Sequence, residues 1–513
     1  MSTKRKSRIK RKLRNAKRRI KRRLEKPAAT KGGKVFSATN IHFEVSDRTR
    51  GIGPGGIGTF QALVNHLGLA DAIDDELHLL KFHLPYHESD HVLNIAYNIL
   101  CGGTCLEDIE LRRNDEVFLD ALGADRIPDP TTAGDFCRRF GSGDIEILLE
   151  VINRIRQKVW ARQPTEFFEL AKIDMDGSLV STTGECKKGM DISYNGVWGY
   201  HPLLISLANT REVLDVFNRS GNRPSYEGAA ARVDKAIQLC LESGFRHILL
   251  RGDNDFSQTA YLDGWDDDSR VTFIFGMDSR DNLKAHAEEE ATINGWRKLH
   301  RPAGSEVRTQ PRERPENVKE RIVQERMFLN KRLTSEEVAE FEYQPAACRK
   351  TYRMVVVRKN ITVLKGEAAL FDDIVYLFYI TNDWESTAEE IVFSANDRCE
   401  QENLIEQLKN GVHSFKAPLD TLESNWAYMV MSSLAWTLKS WWALMLPEKP
   451  GRWLEKHKSE KQTVLKMEFK KFVNHFIRIP CQIVRTSRRI IYRLLSWNPW
   501  QHVFFRLVDV LRR

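Results

Sequence analysis

The sequence predicts an α/β fold: a strand-rich core broken by a β-containing insertion, with a mainly helical N-terminal domain before it and a basic arm at the front. Three observations carry this reading. Short apolar, β-compatible runs end on acids in KIDMDGS around Asp176 and LLRGDND around Asp253. A third acid, Glu402, lies in RCEQENLIEQLK, whose apolar residues recur at helical spacing. The 149-residue step from Asp253 to Glu402 is too long for a simple connection, so it holds an inserted unit.

Residues 1–34 contain 17 Lys and Arg against one acid, a net +16 on a chain whose total is +9, so the remainder carries −7. The basic excess is therefore an arm. Met1 to Lys26 lacks Gly and Pro and sets Ile9, Leu13, Ile20 and Leu24 on a narrow helical stripe, yet self-repulsion is expected to keep it disordered until it meets a polyanion. Neutralising phosphates without reading bases is preferred over a solubilising tail or a nonspecific RNA binder.

Residues 35 to about 50 read as a linker or edge strand, and 51–165 as the helical domain. GIGPGGIG (Gly51 to Gly58) contains a formal GxGxxG. It carries a Pro and no βαβ unit follows, which favours a loop leading into a helix over a nucleotide site.

From 166 to 279 the pattern is β, β, β, α, β, α, β. A strand from Phe167 to Ile173 reaches Asp174, Asp176 and the Gly177-Ser178 turn, and apolar runs follow at Pro202 to Leu207 and Val213 to Phe217. A helix from Tyr226 to Ser243 stops at Gly244, His247 to Leu250 leads into Asp253, and Val271 to Phe275 closes the series. This is the order of an RNase H-like core, whose first and fourth strands lie side by side and would bring Asp176 and Asp253 together.

The insertion spans 280–390. It holds the strand-like YRMVVVR (Tyr352 to Arg358) and IVYLFYIT (Ile374 to Thr381), after a charged stretch, Asn317 to Phe341, that reads as helix. In 391–513, Asp397 to Asn410 has no Gly or Pro, and helical geometry lines Arg398, Glu402, Ile405 and Lys409 along one side. Trp426 to Leu446 is apolar and Trp-rich, but Lys439 and several polar residues interrupt it; a buried helix behind the Glu402 helix is preferred over a membrane span. Ile477 to Leu495 mixes Arg with apolar residues, fitting either a DNA-lining element or an ordinary amphipathic one.

Three carboxylates so placed suit phosphodiester cleavage. The attacking oxygen must be activated and the leaving oxygen stabilised; two Mg²⁺ ions about 4 Å apart do both, and hard cations take oxygen ligands. Singly, each acid has a bland explanation, since Asp at a strand end often makes a turn and Glu between cations on a helix forms a solvated ion pair. Asp174 rivals Asp176 as first acid, because alternation puts both on one strand face.

Several segments together resemble a known family: HVLNIAYNILCGGTCLEDIELRRND from His91, the Pro-x-x-Thr-Thr turn before DFCRRF, IDMDGS with GYHPLL after it, NRSGN, LLRGDNDF and RCEQENLIEQLKN. They resemble the DDE transposases of bacterial insertion sequences, in the IS4-like group with the signature Tyr-x2-Arg-x3-Glu-x6-Lys, and are most similar to the IS thirteen-eighty family. The likeness runs from about His91 to the C-terminus. It implies a catalytic, metal-holding triad of Asp176, Asp253 and Glu402, with Arg398 and Lys409 as DNA-binding partners and two Mg²⁺ ions for which Mn²⁺ can substitute. Asp176 is preferred over Asp174 because Asp-Gly-Ser matches the family's Asp-x-Thr/Ser. Ala395 departs from the signature Tyr.

The resemblance further implies cleavage at element ends and strand transfer into target DNA. Its partners would be double-stranded transposon ends and target, with a homodimer in the DNA complex, no membrane partner and a cytoplasmic, nucleoid-associated location. The 51–165 domain would either grip the transposon end or act as scaffold. Alternatives are an RNase H-like nuclease without strand transfer and a DNA-binding relative that has lost catalysis. Eight scattered cysteines without a CxxC pair suit a reducing compartment and offer no zinc site, and no signal peptide is visible.

Overall fold

The computed structural model describes residues 3–25, 41–42, 49–81, 85–300, 318–366, 368–486 and 489–511. Contrary to expectation, the front of the basic arm is ordered, as helix α1 (Thr3–Leu24). Lys, Arg, Ala and Leu are strong helix formers and no Gly or Pro interrupts them, so backbone propensity holds the helix despite the like charges. Residues 26–34 and most of the expected linker lie outside the described residues.

The next region is helical, with α2 (Ile57–Leu67), α3 (Glu88–Leu100), α4 (Pro130–Cys137) and α5 (Ser142–Trp160). The glycine loop at its start is a packing device. Gly55 and Gly56 donate backbone hydrogen bonds to Ile479 and Ile477 at 3.1 and 2.9 Å, and a Cβ on Gly56 would sit 1.7 Å from the Phe476 carbonyl.

The core is one nine-stranded sheet. Its strands are β1 (Leu170–Gly177), β2 (Leu203–Leu207), β3 (Glu212–Phe217), β4 (His247–Gly252), β5 (Val271–Met277), β6 (Arg297–Lys298), β7 (Leu329–Tyr343), β8 (Tyr352–Lys365) and β9 (Ala368–Thr381), in the order β6-β7-β8-β9-β5-β4-β1-β2-β3. Helix α6 (Ala229–Glu242) joins β3 to β4, and α7 (Thr259–Asp266) joins β4 to β5. β1 runs parallel to β4 and antiparallel to β2, so the first and fourth strands of the series are neighbours. The first strand starts later than the sequence suggests, because Thr165–Phe168 forms a single helical turn.

After β5 and helix α8 (Asp281–Asn294), the long strands of the 280–390 segment continue the central sheet, with β9 pairing antiparallel to β5. The helix expected over Asn317 to Phe341 is confined to α9 (Val318–Glu325); Leu329–Tyr343 is strand. Charges that read as a helical ion-pair surface are used across strands instead: Arg358 meets Glu337 at 2.7 Å and Lys359 meets Glu336 at 3.6 Å.

The chain then turns into α10 (Ala388–Asn396) and α11 (Cys399–Glu406), the latter widening into one π-type turn at Gln407–Gly411. Lys409 lies in that turn and not in the regular helix that bears Glu402. Helix α12 (Leu422–Leu444) is buried at every residue from Ser424 onward, its polar residues included. It packs chiefly on α3, β3 and α5, not behind the Glu402 helix as expected. Its indoles find polar partners: Trp441 donates to Glu212 at 2.8 Å and Trp442 to Thr59 at 3.0 Å. Most of Ile477 to Leu495 is a hairpin, β10 (Cys481–Thr486) and β11 (Arg489–Leu494), which also pairs with Gly51–Ile52. Among the described residues no helix is long and apolar enough to cross a membrane.

Candidate active site

Strand register assembles the first two acids. Asp174 on β1 lies opposite Arg251 on the parallel β4; Asp176 follows two residues later within β1, and Asp253 is the first residue after β4, at the same end of the paired strands. The two acids share one cation. Arg398, between α10 and α11, places Nη1 3.6 Å from Asp176 Oδ2 and Nη2 3.8 Å from Asp253 Oδ2, and donates to the Met175 carbonyl at 3.4 Å. Gly276 on β5 lets the turn at Asp253 lie close, since a Cβ there would come within 2.8 Å of the Asn254 nitrogen.

Asp174 is spent elsewhere. Both its oxygens accept from Arg251, at 2.7 and 2.8 Å, in a fully buried bidentate pair. Arg251 also donates to the Ser394 carbonyl at 2.8 Å, tying α10 to the sheet.

Helix α11 brings in Glu402 on its exposed side. Leu404, Ile405 and Leu408 are buried beneath the helix and its π-type turn, while the buried Gln401 accepts from the Ser206 hydroxyl and donates to the Leu204 carbonyl at 3.4 Å. Burial pushes Asp176 up to about 7; Arg398 opposes this, and the neighbouring charges of Asp253 and Glu402 reinforce it. Asp253 is also raised, by burial above all, against the pull of Arg398. The half-buried Lys409 is lowered by burial, with Asp176 opposing.

Two basic residues, one in GYHPLL and one in NRSGN, complete the surroundings. The His201 ring, from GYHPLL, packs on Gly177, where a Cβ would lie 2.7 Å from Nε2, and its Nδ1 lies 2.8 Å from the Arg223 carbonyl. Arg219, from NRSGN, is buried and donates to the carbonyls of His201, Pro224, Ser225 and Glu227 at 2.7 to 3.0 Å. Burial brings its guanidinium down to about 10. Composition does not mark either residue, because their partners are backbone carbonyls.

Among the described residues no three His, Cys, Asp or Glu side chains are gathered tightly enough to form a metal cluster by themselves. The donor chemistry nevertheless fits hard divalent cations. At 3.6 and 3.8 Å the Arg398 approaches are too long for hydrogen bonds and leave carboxylate lone pairs for ligation, and Asp176, raised chiefly by burial, is raised further by Asp253 and Glu402, a repulsion that a cation relieves.

Residues 53–513 match the family model described as "Transposase DDE domain group 1", so the chain belongs to the DDE transposase family. Among solved structures it is similar to a piggyBac transposase, in a cryo-EM structure of a synaptic complex with hairpin DNA, at 11% identity over 83% of this chain and 82% of that one, with a TM-score of 0.34. No curated protein matches the sequence.

Proposed function

We propose that this chain is the transposase of a bacterial insertion sequence in the IS4-like group, most similar to the IS thirteen-eighty family, which cleaves DNA at its element's ends and joins the freed 3′-hydroxyl to target DNA. One observation carries the reading most: Asp176 and Asp253 stand side by side with a shared Arg398, beside the short helix that bears Glu402. Asp176 and Asp253 would hold the divalent cations, and Glu402 would complete the second site. Bound Mg²⁺, or Mn²⁺ in its place, would activate the attacking oxygen and stabilise the leaving one. Arg398 and Lys409 neutralise the phosphate that the acids face. Asp176 would ligate as the carboxylate, so cation binding would compete with the proton that burial favours. Ala395, at the signature Tyr position, packs against the small cluster around Ile391 and Val392, so phosphate binding falls to the two cations. Double-stranded DNA, as transposon end and target, is the partner, bound by a homodimer at the bacterial nucleoid.

The test uses the full-length protein, Mg²⁺ and a duplex carrying the element's ends. Joined products support transposition; cut products alone would make the chain a nuclease, and binding alone an inactive relative. Asp176→Ala, Asp253→Ala and Glu402→Ala should each remove cleavage by orders of magnitude while end binding survives, since each deletes ligand atoms and no core volume.

A further inference from the structure

We propose that Arg211, in the turn between β2 and β3, is the positioning residue for the third acid, holding α11 so that Glu402 faces Asp176 and Asp253. The proposal rests on the metal-site reading of those three acids. Arg211 has φ +57°, the left-handed region, where a side chain is strained and glycine is not. The turn alone would favour glycine. The side chain present is used instead: Nη2 meets Glu400 Oε1 at 2.7 Å, Nε meets Oε2 at 3.3 Å, and Nη1 donates to the Lys466 carbonyl at 3.1 Å.

The turn is a fixed base. Asn209 accepts from the Lys172 N–H at 2.8 Å and donates to the Leu170 carbonyl at 2.9 Å, while the Arg211 carbonyl accepts from Trp436 Nε1 at 2.5 Å. The next residue, Glu212, is wholly buried and bonded to Arg156, Trp160 and Trp441. Glu400 and Gln401 are adjacent on α11 and both anchored toward β2, so together they set the helix's rotation, and Glu402 follows about 100° further round. Arg211 and Glu400 are partly exposed, 19% and 37%, so the pair adds little to stability and its effect should appear in placement.

The experiment counts bound Mn²⁺ by electron paramagnetic resonance on the full-length protein, with thermal melting beside it. Arg211→Gly relieves the turn and deletes the clamp; Glu400→Gln removes the clamp's other half without touching the turn. Both should weaken the second Mn²⁺ about tenfold, as loss of a residue supporting a ligand does, with melting close to wild type and no further loss in the double variant. Glu402→Gln is the reference for losing that ion outright. Wild-type Mn²⁺ binding in Arg211→Gly and Glu400→Gln, with loss in Glu402→Gln, overturns the clamp alone. Absence of Mn²⁺ binding in the wild type, or unchanged binding in Glu402→Gln, overturns the metal-site reading and the clamp with it.

Discussion

Asp176→Asn should make the metal-free protein more stable at alkaline pH, although Asp176 is assigned to the catalytic centre. Burial and neighbouring acids raise its carboxyl in the fold from 3.8 to about 7, so the native state binds this proton more tightly than the unfolded chain. The resulting stability is fully present below pH 4 and is lost as pH rises through 7. Each tenfold in proton affinity is worth about 1.4 kcal/mol, so at pH 8.5 the ionised side chain costs the fold on the order of 2–4 kcal/mol, of which Asn is relieved. Melting in EDTA at pH 5 and pH 8.5 measures it. The variant should exceed wild type by several degrees at pH 8.5 and by less at pH 5. Adding Mg²⁺ should raise the wild type and not the variant, and the wild type's Mg²⁺ affinity should climb as pH passes 7. A variant less stable than wild type at pH 8.5, or a difference independent of pH, would refute the reasoning.

Asp174→Asn should behave oppositely, because it strands Arg251 in a dry interior; a loss of about 3–5 kcal/mol is expected, read as a lower denaturant midpoint at neutral pH. Deleting residues 1–34, with their +16 of charge, should flatten the slope of log affinity against log salt by about 0.9 for each phosphate the arm neutralises, equally for end-containing and random duplexes. An unchanged slope would return the arm to a solubilising role.

The β, β, β, α, β, α, β series was legible because its strands are short apolar runs punctuated by glycine and aspartate, as at Leu249-Leu250 before Gly252. The different surroundings of Asp174 and Asp176 were not legible in the pleat, since both share a face; the parallel register sets Arg251 against Asp174, while Asp176 meets Arg398. Residues 329–343 misled because Glu336, Glu337 and Glu340 suit a helix surface as well as a strand, and only pairing with Lys359, Arg358 and Arg353 decides between them. The arm misled in the other direction, charge repulsion being weighed above backbone propensity. Arg211 carries no local signature at all, because its partner lies 189 residues away.

The pairing of β9 with β5 has a consequence for how such a chain can change. Only Phe378 to Thr381 dock on β5, immediately before the turn into α10, whereas the Lys365 to Ala368 end of the β8–β9 hairpin projects away from that junction and exposes Leu370 and Phe371. The excursion departs after β5 and returns to pair with β5, so the length of its outer end is decoupled from the distance between Asp253 and Glu402. Rungs could be added or removed at the tip for little more than a logarithmic loop-closure cost. Changes in the length of the tip would therefore leave the four docked residues, and the turn from β9 into α10, where they are.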